Sequence, residues 1–129
     1  MYKRQDEKFR LKNRTLVDKK HFQPVIDAME SVVASGTARL AHIPDITVCG
    51  KTGTVQNPHG DDHSTFISFA PKNNPKIAIC VYVENAGYGG SVAAPIAGLI
   101  TEKYIRGHIS DSRKYIDCLL YTSPSPRDA

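Results

Sequence analysis

The sequence predicts an α+β fold on three observations: two stretches with the apolar spacing of a helix, three short β-rich runs between them, and turn residues at the boundaries. The order helix, three strands, helix favours an antiparallel sheet with helices packed on it.

The first helix falls in "HFQPVIDAMESVVASG". There Phe22, Val25, Ile26, Met29, Val32 and Val33 recur at the i, i+3, i+4, i+7 spacing of one apolar face. Pro24 suits a first turn and Gly36 a C-terminal stop. The stripe reads as core packing. Next come "ITVCGKTGT", "STFISFAP" and "KIAICVYVE", each bounded by turn residues. Residues 51–54 are expected to pair with 65–70, and 65–70 with 77–84. "PKNNP" is a hairpin connection of ordinary length. Because the third run is apolar on both parities, both of its faces should be covered.

With the middle strand between them, Cys49 and Cys80 stand two strand spacings apart, roughly 9 to 10 Å, beyond the ~7 Å between Cα atoms that a disulfide tolerates. Both should be free toward each other. The glycine-rich "NAGYGG" reads as a flexible connection to the second helix, "SVAAPIAGLITEKYIRG". Val92, Ile96, Leu99, Ile100 and Tyr104 mark the expected buried face of that helix. Pro95 must lie in its first turn or so, and Gly107 is the stop.

Composition narrows the function. The chain has 129 residues, 40% hydrophobic and 23% charged, enough for one modest core. Its net charge of +4 comes mainly from Lys and Arg before residue 21, with no interleaved aromatics to stack bases, which argues against a nucleic-acid partner. No apolar run reaches the ~18 residues that would span a bilayer, and "MYKRQDEKFR" lacks the apolar centre of a secretory signal. Three cysteines fit neither a disulfide framework nor a Cys-x-x-Cys site. "MYKRQ" and "CLLYTSPSPRDA" resemble read-through from a cloning adaptor. The native domain is therefore expected over residues 6–117, with 1–5 and 118–129 as non-native or disordered ends.

The chemistry turns on "CGKTGTVQNPHGDDHS", which shares its spelling with two unrelated signatures. A phosphate-binding loop ending in Gly50, Lys51 and Thr52 needs a glycine five residues earlier, where Asp45 would repel the ligand. It must also open into a helix, and "VQNPHGDD" is turn chemistry. The other signature is a Lys-Thr-Gly strand at the edge of an acyl-transfer cleft, and the β-rich run supplies that context. Lysine offers charge for a carboxylate, threonine a hydrogen bond, glycine close approach, and a backbone N–H just beyond can hold an oxyanion.

"GTARLAHIPDITVCGKTGTVQNPHG" followed by "DHSTFISFAPKNNPKIAICVYVENAGYGGSVAAPIAGLITEKYI" closely resembles the C-terminal end of the class B penicillin-binding proteins, in their elongation-type D,D-transpeptidase branch. The resemblance runs from about Thr15 to about Asp117. It implies part of a transpeptidase domain with the serine β-lactamase-like fold, which cross-links peptidoglycan stem peptides by serine acyl transfer and binds penicillin. Lys51 and Thr52 would bind the carboxylate of a D-Ala-D-Ala donor or of a β-lactam. Gly53 would leave room for the acyl group, and Thr54 would lend its N–H to the oxyanion hole. No cofactor or metal is implied.

The family's nucleophile lies in Ser-x-x-Lys and its second motif is Ser-x-Asn. Neither occurs here, the nearest being Ser110 with Arg113. The resemblance places both upstream, with a membrane anchor, a periplasm-facing location at the inner membrane and elongation-type partners. The chain is thus expected to be a fragment that is inactive alone. The alternatives are a penicillin-recognising sensor domain or a serine β-lactamase.

Two further features read as structural. His59, Asp61, Asp62 and His63 could be metal ligands, but crowded beside Gly60 they read as a solvated turn, with a substrate contact for His63 left open. Cys49 has no histidine placed to activate it and reads as a small buried residue.

Overall fold

The computed structural model describes residues 15–122. A 3-10 turn, Lys19–His21, leads into α1 (Phe22–Ala34), and a second, Arg39–Ala41, precedes β1 (Cys49–Val55). Then come β2 (His63–Ala70), β3 (Ile77–Val83), α2 (Ala93–Arg106), a 3-10 turn Asp111–Arg113, and α3 (Lys114–Thr122). The three strands form one antiparallel sheet in the order β1-β2-β3. This is the α+β arrangement the sequence predicts, with the predicted pairings, and Cys49 and Cys80 are free thiols. α3 runs through residues 118–122, across the boundary expected after Asp117. Residues 1–5 and 123–129 lie outside the described residues. Among those described, no helix is long and apolar enough to cross a membrane.

Register decides which side chains share a face, since residues directly opposite one another project the same way. Thr52 pairs with Phe66 and Thr54 with Ser64, and Phe66 and Ser68 pair in turn with Val81 and Ile79. This is the core face. Phe66 is fully buried there with Ala93, Ala94 and Ala97 of α2, and Ile79 and Val81 pack against the same cluster. On the opposite face, Lys51 pairs with Ile67 and Gly53 with Thr65, while Cys80 and Tyr82 lie across from Ile67 and Thr65.

Three expectations are corrected here. β3 is not covered on both faces: Ile77, Ile79, Val81 and Val83 are half-buried, whereas Ala78, Cys80 and Tyr82 are exposed. α2 covers one face of the sheet, and α1 lies mainly against β1 at the far edge, so the other face of β3 stays largely in solvent. Second, the apolar stripe of α1 is buried only toward its C-terminal end. Val33 is in the core, Ile26, Met29 and Val32 are half-buried, and Phe22 and Val25 are exposed. Third, the buried face of α2 is built of small residues. Ala93, Ala94, Ala97, Gly98, Thr101 and Glu102 are buried with Leu99, while Ile100 and Tyr104, expected inside, are exposed. A Cβ added at Gly98 would come within 2.9 Å of the Ala41 Cα and 2.8 Å of Arg113 Nη2. The helix therefore approaches the Arg39–Ala41 turn closer than bulky residues would allow.

That approach is held by a buried ion pair. Glu102 Oε2 accepts from Arg113 Nε at 2.9 Å, and Glu102 Oε1 accepts from Arg106 Nη1 at 3.2 Å. Arg113 also donates to the carbonyls of Leu40 and His42, which fixes the segment leading into β1. Gly107 ends α2 in the left-handed region, φ 83°, as expected for a glycine stop. At the other end of the sheet, Lys72 Nζ lies 2.6 Å from both Asp27 and Glu30 and pins the β2-β3 connection to α1. Its hydrogen bond holds the Asp27 carboxyl below the usual carboxylate value.

Candidate active-site wall

β1 carries the Lys-Thr-Gly motif and is an edge strand, so its outer side is free of any partner strand among the described residues. Backbone groups along such an edge remain available to a ligand. Beside it opens a cleft of about 630 Å³, lined by Thr52 and Thr54 of β1, Thr37 and Arg39 of the preceding segment, and Tyr88 and Gly90 of the loop before α2. Thr37 Oγ1 and Thr52 Oγ1 are 3.1 Å apart, so one donates to the other. No carboxylate lines the cleft among the described residues.

The four predicted site residues are therefore consecutive on one strand but divided between two faces. Thr52 and Thr54 border the cleft. Lys51 and Gly53 project to the other side, where Lys51 is exposed and its Nζ turns back to donate to the Thr52 carbonyl at 2.6 Å. The absent side chain of Gly53 leaves space that the Thr65 hydroxyl occupies.

The loop "AGYGG" is not the loose connection expected from its glycines. A Cβ at Gly89 would stand 2.5 Å from the Gly53 carbonyl oxygen and would also collide with the Thr65 carbonyl, and one at Gly90 would strike the Thr37 carbonyl. The loop thus lies directly on the backbone of the Gly53 and Thr65 pair, where only glycine fits. Ser64 secures it: its buried hydroxyl donates to the Tyr88 carbonyl at 3.1 Å and accepts from Ala93 N–H at 3.1 Å. Sequence reading missed this contact because loop glycines more often mark a turn than a seat. Gly89→Ala should lower stability by about 1 to 3 kcal/mol through overpacking. Thermal denaturation checks this, and an unchanged midpoint would show that the loop is not seated.

The loop between β1 and β2 is a hydrogen-bonded turn rather than a merely solvated one. Asp62 Oδ1 accepts from Asn57 N–H at 3.1 Å, and the Asn57 amide donates to Asn85 Oδ1 at 2.6 Å. His63 Nδ1 accepts from Asn85 N–H at 3.0 Å on the face away from Thr52 and Thr54. Among the described residues no group of His, Cys, Asp and Glu could hold a metal. Cys49 is buried, and burial pushes its thiol pKa up, with the Glu30 carboxylate adding to the rise. A thiol so placed is less ready to act as a nucleophile.

Comparison with known proteins decides the family, because the penicillin binding protein transpeptidase domain matches residues 2–102. The chain belongs to the penicillin-binding protein transpeptidase family. Stage V sporulation protein D of Bacillus subtilis is 42% identical over 57% of this chain and 13% of its own length. The peptidoglycan D,D-transpeptidase MrdA of Haemophilus influenzae is 36% identical over 64% of the chain and 15% of its own length. Among solved structures, penicillin-binding protein 2 of Pseudomonas aeruginosa superposes with a TM-score of 0.64 at 32% identity, covering 87% of this chain and 24% of that one. The D,D-transpeptidase domain of an Eggerthella lenta peptidoglycan glycosyltransferase gives 0.59 at 33% identity, covering 70% and 22%. The ceftriaxone acyl-enzyme of penicillin-binding protein A from M. tuberculosis gives 0.62 at 30%, covering 69% and 22%. The chain spans only 13% and 15% of the two curated relatives described.

Proposed function

We propose that this chain forms one wall of the active site of a peptidoglycan D,D-transpeptidase of the elongation type. The observation that carries the reading is the motif strand on a free edge, with Thr52 and Thr54 bordering a cleft that holds hydroxyls and a cation but no described carboxylate. Such a cleft suits a ligand ending in a carboxylate.

In this reading the longer protein contributes Ser-x-x-Lys and Ser-x-Asn from other elements, together with a membrane anchor that leaves the domain facing the periplasm. The serine hydroxyl, relieved of its proton by the motif lysine, attacks the penultimate D-alanine carbonyl. The C–N bond to the terminal D-alanine breaks, and that residue leaves as the amine. An amine of a second stem peptide then attacks the ester, releasing the serine and forming the cross-link. Lys51 and Thr52 hold the donor carboxylate, Gly53 admits the acyl group, and the Thr54 N–H faces the oxyanion. A β-lactam enters the first half of this sequence and stays attached.

The test is Lys51→Ala in the longer protein, measured as the second-order rate of acylation by benzylpenicillin. Loss of one charge-assisted contact of ~1.5 to 3 kcal/mol should slow acylation by about ten- to a hundredfold. The thermal midpoint should hardly move, since the Lys51 side chain is exposed. Acylation at the wild-type rate would remove Lys51 from the site.

A further inference from the structure

The cation that shares the cleft with the threonine hydroxyls is Arg39. It lines the same space as Thr37, Thr52 and Thr54, whereas Lys51, the next residue along the strand from Thr52, leaves from the opposite face and is not part of that lining. Among the described residues the Arg39 side chain makes no hydrogen bond or ion pair. Surface arginines commonly settle against an acid, yet here none lines the cleft.

The backbone that carries Arg39 is held in place. Ala38, just before it, and Ala41, at the end of its 3-10 turn, are fully buried, and the turn is anchored where Arg113 donates to the carbonyls of Leu40 and His42. On the cleft side, Thr37 is fixed by its hydroxyl contact to Thr52 and by the close approach of Gly90 to its carbonyl. The fixed turn holds the base of the side chain at the cleft, and the planar guanidinium fork matches a carboxylate.

We infer that Arg39 is a substrate-binding residue, which together with Lys51 brackets the terminal carboxylate of the stem peptide or of a β-lactam from the two sides of β1. The inference rests on the transpeptidase reading and adds to it a residue outside the Lys-Thr-Gly motif. The two cations divide the work by position. Lys51 lies on the opposite face of β1 with its Nζ on the Thr52 carbonyl, and Arg39 lines the cleft with Thr52 and Thr54. It follows that Arg39 should matter only for ligands that carry the negative charge.

The experiment compares benzylpenicillin with its neutral methyl ester on the longer protein, as wild type, Arg39→Gln, Arg39→Lys and Thr52→Val. Acylation rate constants are measured at low and high salt. Arg39→Gln is expected to lower the rate constant for benzylpenicillin by about tenfold and to flatten its salt dependence, while the ester is unaffected. Arg39→Lys should recover part of the loss by restoring charge without the fork. A reduction equal for both ligands, or none while Thr52→Val slows penicillin, overturns the assignment of Arg39. A wild-type protein that neither ligand acylates, or a Thr52→Val variant as fast as wild type, overturns the transpeptidase reading and this inference with it.

Discussion

Replacing Glu102 by alanine should cost the fold about 3 to 5 kcal/mol, because it strands a buried guanidinium. Arg113 is 6% exposed in its side chain and Glu102 fully buried, and their 2.9 Å contact is the charge compensation that burial of the arginine requires. Burial by itself disfavours the Arg113 cation, and the Glu102 carboxylate offsets that effect. The loss should spread beyond α2. With its partner gone, Arg113 is drawn toward water and releases the carbonyls of Leu40 and His42, so residues 37–42 should lose protection in hydrogen exchange along with the cleft wall they form. Changing both members of the pair to apolar residues of similar volume, Glu102→Leu with Arg113→Met, should return most of the stability. It should not return the protection of residues 37–42, whose carbonyls would still lack a donor. Thermal denaturation of the longer protein and exchange mass spectrometry read these two effects separately. A midpoint for Glu102→Ala within a degree of wild type would mean that the pair is solvated and that α2 is not held as described.

This ion pair also shows where sequence reading stops. The strands were legible because Val, Ile, Thr, Phe and Tyr fit a pleated surface and because turn residues bound each run. That residues 49–55 form a strand rather than open a helix was legible because the turn chemistry after them excluded the competing phosphate loop. The buried face of α2 was not, since hydrophobic periodicity ranks residues by size, and this helix is pressed close through Ala93, Ala97 and Gly98. Glu102 and Arg113 look in sequence like two solvated charges, and only the fold brings them together. Arg39 escaped for the same reason, because its meaning lies in a cleft whose other walls come from residues 52–54 and 88–91. The glycines at 89 and 90 carried a signal, but one that a turn and a close approach produce alike. On β3 the apolar run correctly announced a strand. It overstated the cover, because an edge position and a single helical layer leave Ala78, Cys80 and Tyr82 in water.

The central claim is that this chain supplies the carboxylate-binding wall while the reacting serine belongs to other parts of the longer protein. Covalent capture of a penicillin requires a hydroxyl beside a base that can take its proton, and in Ser-x-x-Lys the spacing puts both side chains on one helical face. No serine in this sequence has a lysine three residues on. The buried hydroxyl of Ser64 is already engaged by the Tyr88 carbonyl and Ala93 N–H. What remains in the cleft offers reversible contacts only. The most direct measurement is labelling by a fluorescent penicillin, read by denaturing gel and intact mass, of the 129-residue chain and of the longer protein containing both missing motifs. The account predicts no adduct on the short chain and a stoichiometric one on the long protein, abolished when the motif serine is changed to alanine; a stoichiometric adduct on the short chain, or none on the long one, would contradict it.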